Sequence, residues 1–312
     1  MSELQHPEIF RTVLETLQVG VYLVDCDGKI LFWNDGAERI TGYLRQDVVG
    51  RFGRGNILMH CEQPGCVLCG TVCPLTETMH DGQPREAQVY LRHRAGHRVP
   101  VHVRAVAIRD CHGVIIGAAE SFDDVGFIPD PDRRQDELAV HGCLDATTGI
   151  PNHGFTQTHL REHFATFVEY ELPFGVLCIQ VDELDHLRET HGHPAADAML
   201  RVVAHTLQKT LRLTDSLGRW SDDQFLAIVP NCNPATLEEV GARVCTIVSC
   251  SGIEWWGDPL SVTVSLGSAA VQAGDTPESL VERAQHSFHR GPCEKAVEPR
   301  PLMPRNCVHS ED

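Results

Sequence analysis

Gly20-Val-Tyr-Leu-Val-Asp-Cys-Asp-Gly-Lys-Ile-Leu-Phe-Trp-Asn34 reads as two strands folded back on one another. Gly20 to Val24 and Lys29 to Trp33 are rich in β-branched and aromatic residues, and Asp27-Gly28 between them is a tight-turn signal. Upstream, Ile9, Phe10, Val13, Leu14 and Leu17 recur at helical spacing, which predicts a helix over Pro7 to Leu17. Downstream, Asn34 to Gly50 reads as short helices. Gln88 to Leu91, Val99 to Ile108 and Val114 to Phe122 read as strands separated by Ala95-Gly96 and His112-Gly113. Two strands, short helices and then three strands imply an antiparallel sheet with helices over one face.

A second unit follows. Asp130-Pro131-Asp132 breaks structure, and Arg133 to Leu144 reads as a linker helix. Then come helix Phe155 to Tyr170, strand Phe174 to Val181 and helix Ala195 to Leu211. A hairpin around Ser221 leads to strand Phe225 to Val229, helix Thr236 to Val248, strand Leu260 to Leu266 and helix Pro277 to His289. Alternating strands and helices indicate an α/β sandwich. The expected division is 1–126, a linker at 127–144, a second domain at 145–296 and a Pro-rich, disordered tail at 297–312. The fold class expected for the whole chain is α/β (α+β).

The chain has 312 residues, enough for two domains, and a net charge of −17 from 26 basic and 43 acidic residues. That field repels phosphate backbones, so nucleic acid is not an expected partner. The N-terminal residues lack the pattern of a secretory signal, and no apolar run approaches the ~20 residues of a membrane span. No membrane contact and a cytoplasmic location are expected. Thirteen cysteines, an odd number without an export signal, argue against a disulfide framework. Cys61, Cys66, Cys69 and Cys73 are clustered. Thiolates so spaced suit soft metals, with zinc and an iron–sulfur cluster both open, because Cys66 through Cys73-Pro74 is similar to part of a ferredoxin-type motif. His60 and His80 are substitute ligands; the bland alternative is four reduced thiols in a loop.

Gly20 to Asn34, together with Gly113-Val-Ile-Ile-Gly117, resembles the opening hairpin and final strand of PAS sensor domains, over roughly Glu8 to Asp124. The resemblance implies a pocket between sheet and helices that takes a small molecule or cofactor, or else a dimerisation module. No flavin-type cysteine motif follows Gly50-Arg-Phe52, and His80 before Asp81-Gly82 reads as a helix end rather than a haem ligand.

Four motifs of the second unit resemble the GGDEF domain of diguanylate cyclases: Asp145-Ala-Thr-Thr-Gly-Ile-Pro-Asn152, His191-Gly-His-Pro-Ala-Ala-Asp197, Arg219-Trp-Ser-Asp-Asp-Gln-Phe225 and Val262-Thr-Val-Ser-Leu-Gly267. The resemblance implies a nucleotidyl-cyclase-type sandwich that joins two GTP with Mg²⁺. Here the first metal Asp is Gln180, the guanine Asn is Arg188, the Gly-Gly turn is Ser221-Asp222, the signature Glu is Gln224 and the triphosphate Lys is Pro292. Asp182, Asp197 and Asp223 remain, with a helix cap (Asp197) and a solvated hairpin residue (Asp223) as their bland readings. A neutral amide binds Mg²⁺ poorly, and Asp222 adds charge where phosphates would approach. The expectation is a degenerate, non-catalytic site. Arg212-Leu-Thr-Asp215 matches the family's product-inhibition motif, with Arg243 where a second Arg commonly helps. These residues imply a cyclic di-GMP site, because Arg forks suit phosphate and guanine edges.

The function expected is redox, oxygen or metal sensing coupled to an inactive, ligand-binding output domain, in a homodimer or against a protein partner. The alternatives are a weak cyclase that uses Asp182 and Asp223 for Mg²⁺, and a module that acts through protein contacts alone.

Overall fold

The computed structural model describes residues 7–52, 57–61, 73–125 and 142–290. The opening hairpin forms as its pattern predicts. Strand β1 (Gly20–Asp25) pairs antiparallel with β2 (Ile30–Trp33). Gly28 takes a φ of 86° in the turn, where a side chain would be strained. Asn34 then caps helix α2 (Asp35–Thr41). Its buried side chain accepts from Val21 N and Ala37 N at 2.8 Å each and donates to Leu14 O and Val19 O at 2.9 Å each. One amide thus ties together α1 (Pro7–Thr16), β1 and α2.

After α3 (Arg45–Val48) and α4 (Pro74–Asp81) come β3 (Arg85–Arg92), β4 (Arg98–Arg109) and β5 (Ile115–Asp124). They complete an antiparallel sheet of order β2-β1-β5-β4-β3. Alternate residues explain its buried face. Tyr22 and Val24 of β1, Val99, Val101 and Val103 of β4, and Ala118 and Phe122 of β5 pack with Trp33, Ile40 and Leu75. Helices cover that face, as the sequence predicts.

The second unit runs α5 (His153–Tyr170), β6 (Phe174–Val181), α6 (Leu184–His191), α7 (His193–Thr210), β7 (Ser216–Arg219), β8 (Gln224–Pro230) and α8 (Pro234–Ser249). It continues with β9 (Ile253–Trp255), β10 (Asp258–Leu260), β11 (Val264–Ala270), α9 (Pro277–His286) and β12 (His289–Arg290). The main sheet has the order β12-β11-β6-β8-β7, with every pairing antiparallel. β6 is buried on both faces. Phe174, Val176 and Cys178 pack under Leu160 of α5 and Val281 of α9, while Leu177, Ile179 and Val181 pack under Met199 of α7 and Val244 of α8. This accounts for its unbroken apolar run.

Three expectations are corrected. The strand expected over Leu260 to Leu266 is two elements: Leu260 ends a small hairpin with β9, and β11 starts at Val264. Trp256 and Gly257 both take positive φ and turn that hairpin, a signal the flanking apolar residues obscured. Helix α9 ends at His286 rather than His289. Of the linker helix, Arg133 to 141 lies outside the described residues. Gly142 takes a φ of 64° and Leu144 bridges Pro151, so that stretch is not helical. The tail lies outside the described residues as well.

The two units meet at the β3–β4 hairpin. Arg98, only 1% exposed, donates from Nη1 to Met59 O at 2.6 Å and from Nε to Cys250 O at 2.9 Å, across the boundary. A Cβ on Gly96 would come within 2.5 Å of Gly252 O, so only glycine allows this approach. His93 stacks on His97 at 4.2 Å between ring centroids, and His97 lies 5.3 Å from His205 of α7. Lys209 of α7 reaches Asp124 at 3.0 Å.

Replacing Asn34 with Ala removes a helix cap and leaves buried partners unsatisfied, which should cost about 2–4 kcal/mol. A urea titration of the purified protein reads this as a lower midpoint. Acid should loosen the inter-unit contact. Burial depresses the pKa of His97 to about 3 and of His93 to about 4, below the ordinary 6.5, and neighbouring His and Lys charges add to it. The unfolded chain therefore takes up protons first. Stability is full above about 6.5 and declines as the pH falls towards 4. His97→Gln should flatten that decline in a series of melts between pH 7 and 4.5.

Candidate functional site

The hairpin of β7 and β8 is set against the entry motif. Asp145 Oδ1 accepts from Thr148 N at 2.9 Å and from Thr148 Oγ1 at 2.6 Å, which closes the turn that buries Ile150. Asn152 caps α5 through Phe155 N, and Pro151 O accepts from Arg219 N at 2.8 Å. The first strand of the hairpin is thereby held against the entry motif.

At the tip, Trp220 N and Ser221 N both donate to Gln224 O, at 2.8 and 3.1 Å. Neither Ser221 nor Asp222 takes positive φ, so the turn is built from ordinary backbone conformations. Asp222 is exposed. The Arg219 side chain folds back on the tip, donating from Nε to Ser221 O at 2.5 Å and from Nη2 to Asp222 O. Burial depresses the pKa of Arg219, opposed by the charges of Asp145, Asp222 and Asp223.

The structure brings Gln180, Asp182 and Asp223 together at the end of β6. Gln180 Nε2 donates to Asp223 Oδ2 at 3.0 Å, and Ser221 Oγ donates to Asp223 Oδ1 at 3.3 Å. Asp223 is thus half-buried and bonded rather than simply solvated. Asp182 accepts from Thr263 Oγ1 at 2.6 Å and Ser265 Oγ at 2.7 Å. Sequence reasoning missed these two hydroxyls; their place at the start of β11, opposite the end of β6, was the available signal. Gln224 turns to α9, accepting from Gln285 at 3.4 Å. Arg188 pairs with Asp185 one turn earlier at 2.8 Å. Asp197 lies inside α7, whose N-cap is Gly192, so it is not a cap. Pro292 lies outside the described residues.

A second group sits in the turn between α7 and β7. Asp215 Oδ2 accepts from Arg212 N at 2.9 Å, while the Arg212 side chain is exposed. Burial raises the pKa of Asp215, against the opposing charges of Arg212 and Arg243. Arg243, on α8, keeps Nε and Nη2 buried without a hydrogen-bond partner among the described residues. Three of the residues named from the sequence therefore converge, with charged donors to spare.

The cysteine cluster is not assembled among the described residues. Cys66 and Cys69 lie outside them, and no group of three or more His, Cys, Asp or Glu is placed to hold a metal among those described. Cys61 and Cys73 have separate partners. Cys61 Sγ lies 3.6 Å from Met59 O and also meets the Cys250 thiol of the second unit; that thiol pairing, with burial, raises the pKa of Cys61, and against burial it draws Cys250 down to about 6. Cys73 Sγ lies 3.8 Å from His60 Nδ1.

His60 belongs to a buried group that sequence reasoning overlooked. Its Nε2 is 3.2 Å from Glu120 Oε1, which also accepts from Tyr22 Oη at 3.0 Å. Burial pulls the pKa of His60 down, but Glu120 and Cys73 outweigh it and push it to about 10. Glu120 alternates with Ala118 and Phe122 on the inward face of β5, which was the available signal. Beside it lies a cavity of about 30 Å³ lined by Tyr22, Val24, His60, Cys73 and Met79. Among the described residues its walls enclose room for about one water. His80 is exposed at the end of α4.

Gln180→Asp should set two carboxylates where an amide and a carboxylate now pair, and so create a Mg²⁺ requirement. Melting curves should then rise with added Mg²⁺ for this variant and stay unmoved for the parent protein.

Comparison with known proteins matches both units. Residues 8–125 match the family model described as "PAS fold", and residues 143–292 match "Diguanylate cyclase, GGDEF domain". The chain is 24% identical over 267 residues to the probable diguanylate cyclase DgcE of Escherichia coli (strain K12), covering 84% of this chain and 23% of that protein. It is 30% identical over 157 residues to the response regulator PleD of Caulobacter vibrioides, covering 49% of this chain and 34% of that protein. The chain thus spans between about a quarter and a third of these relatives. Among solved structures, the GGDEF domain of DgcB from Caulobacter crescentus in complex with c-di-GMP gives a TM-score of 0.45 at 21% identity, covering 46% of this chain and 84% of that one. No helix among the described residues is long and apolar enough to cross a membrane. The chain belongs to the proteins that join a PAS domain, here residues 8–125, to a GGDEF domain, here residues 143–292.

Proposed function

We propose that this chain is a cyclic di-GMP signalling protein whose GGDEF domain binds the dinucleotide without making it. The observation that carries the reading is the group of Arg212, Asp215 and Arg243, with two buried Arg243 donors unpartnered among the described residues. Buried guanidinium donors are costly to leave unsatisfied, and a phosphodiester or guanine edge supplies planar acceptors for them. Asp215, next to them, is a carboxylate that can accept from the guanine edge. The chain carries −17 overall, so an anionic ligand must be held by these local cations and not by the global field.

Synthesis is a poor fit to the other site. In it Gln180 points an amide donor at Asp223, where metal chemistry needs a second anionic oxygen. Both oxygens of Asp182 already accept from hydroxyls. The PAS domain supplies the input through the small cavity beside His60. The chain works as a homodimer or on a protein partner.

Calorimetry of the purified chain with cyclic di-GMP should give saturable binding. Arg212→Ala should weaken it roughly ten- to a hundredfold, the usual cost of one charge-assisted bidentate contact. Asp223→Ala should leave it unchanged. Absence of heat at high micromolar ligand would remove the binding reading. Steady production of cyclic di-GMP from GTP and Mg²⁺, lost in Asp223→Ala, would favour the weak cyclase instead.

A further inference from the structure

The pair Cys61 and Cys250 belongs to neither site described above. Cys61 lies in the PAS domain, where its N and O bond Tyr90 O and N at 3.0 and 2.8 Å. Cys250 caps the C-terminus of α8 in the GGDEF domain. The two thiols face each other across the boundary, and Cys61 Sγ also lies 3.6 Å from Met59 O, the carbonyl that Arg98 holds. Their backbones are held by one side chain: Arg98 donates to Cys250 O and to Met59 O, two residues before Cys61. Both thiols are therefore reduced, adjacent and anchored at their main chains. Cys61 is buried, whereas Cys250 is partly exposed. Other described thiols have different surroundings: Cys178, Cys232 and Cys245 donate to the carbonyls of Val281, Val229 and Val264 inside the GGDEF core.

We propose that Cys61 and Cys250 form a reversible inter-domain disulfide that locks the PAS domain to the GGDEF domain when a hydroperoxide is present. The chemistry balances in two steps. The Cys250 sulfur attacks the outer oxygen of the hydroperoxide, the O–O bond breaks, and the departing alkoxide or hydroxide takes up the Cys250 thiol proton and leaves as an alcohol or water. The Cys61 sulfur then attacks the resulting Cys250 sulfenic acid. An S–S bond forms, and the sulfenic oxygen leaves as water with the Cys61 proton. Two thiols are oxidised and one peroxide is reduced. A thiol reductant reverses the change by exchange. The link would close the chain from residue 61 to residue 250, so that separating the domains would require breaking a covalent bond.

The test uses the full-length protein. Reduced protein is titrated with hydrogen peroxide, alkylated in denaturant, digested and mapped by mass spectrometry. The expected result is a Cys61–Cys250 linked peptide as the dominant cross-link, with loss of alkylation at both positions and recovery after dithiothreitol. Cys250→Ala, at a partly exposed helix end, should abolish the link and leave Cys61 alkylated. The proposal is overturned if both cysteines stay fully alkylated after oxidation, or if Cys250 pairs as readily with other cysteines. Because the mapping is done on the parent protein, a variant that fails to fold does not obscure the result.

Discussion

A guanidinium removed from water must keep its donors satisfied, and Arg98 is 1% exposed. Among the described residues no carboxylate accepts from it; its partners are the carbonyls of Met59 and Cys250 and, through its backbone N, Thr206 Oγ1 at 3.4 Å. Those acceptors come from both domains. The buried cation is therefore tolerated only while the domains stay in contact, and the rest of the boundary is arranged around it. Gly96 has no side chain because Gly252 O occupies that space. Lys209 and Asp124 pair at the rim, where solvent screening leaves such a pair little net worth. Breaking the Arg98 set would strand a charge, which makes it the dominant polar constraint.

The GGDEF pocket follows a related rule with the opposite outcome. A cyclase site concentrates carboxylates and relies on cations to relieve their repulsion. Here the repulsion is relieved by neutral donors. Gln180 and Ser221 satisfy Asp223, and Thr263 and Ser265 satisfy Asp182. Arg219 turns back on the hairpin carbonyls and partly offsets the charge of Asp222. The two carboxylates are satisfied in this way, while among the described residues buried donors without a partner remain at Arg219 Nη1 beside the hairpin and at Arg243 Nε and Nη2 in the Arg212 group.

Legibility in the sequence followed the range of the interaction. The hairpin from Gly20 to Trp33, the β6 run and the long helices α7 and α8 are set by local period, so their residues announce them. The alternation of strands and helices suggested an α/β order, yet every pairing in the second sheet is antiparallel. Pairing partners are chosen by tertiary packing, which periodicity does not encode. The hairpin turned at Trp256 and Gly257 was hidden because it is short and its flanks are apolar. Site residues were legible where they substitute at a recognisable motif position, as Gln180 and Asp222 do. Glu120, His60 and Arg98 stand in no motif. Their importance comes from burial and from partners up to 152 positions away, as between Arg98 and Cys250.

Three consecutive residues connect these features. Met59, in a left-handed conformation at φ 39°, gives its carbonyl to Arg98. His60 turns inward to Glu120 and the PAS cavity. Cys61 bonds to β3 through its backbone and to Cys250 through its thiol. Strained backbone persists only where its surroundings over-determine it, and here the constraints arrive from the PAS core, the sheet and the other domain at once. A change of charge or occupancy beside Glu120 acts first on His60. Of the neighbours of His60, Cys61 meets Cys250 of the GGDEF domain, and Met59 holds Arg98, which reaches the Cys250 carbonyl. The residue that lines the PAS cavity and those that meet the domain boundary are therefore a single peptide step apart.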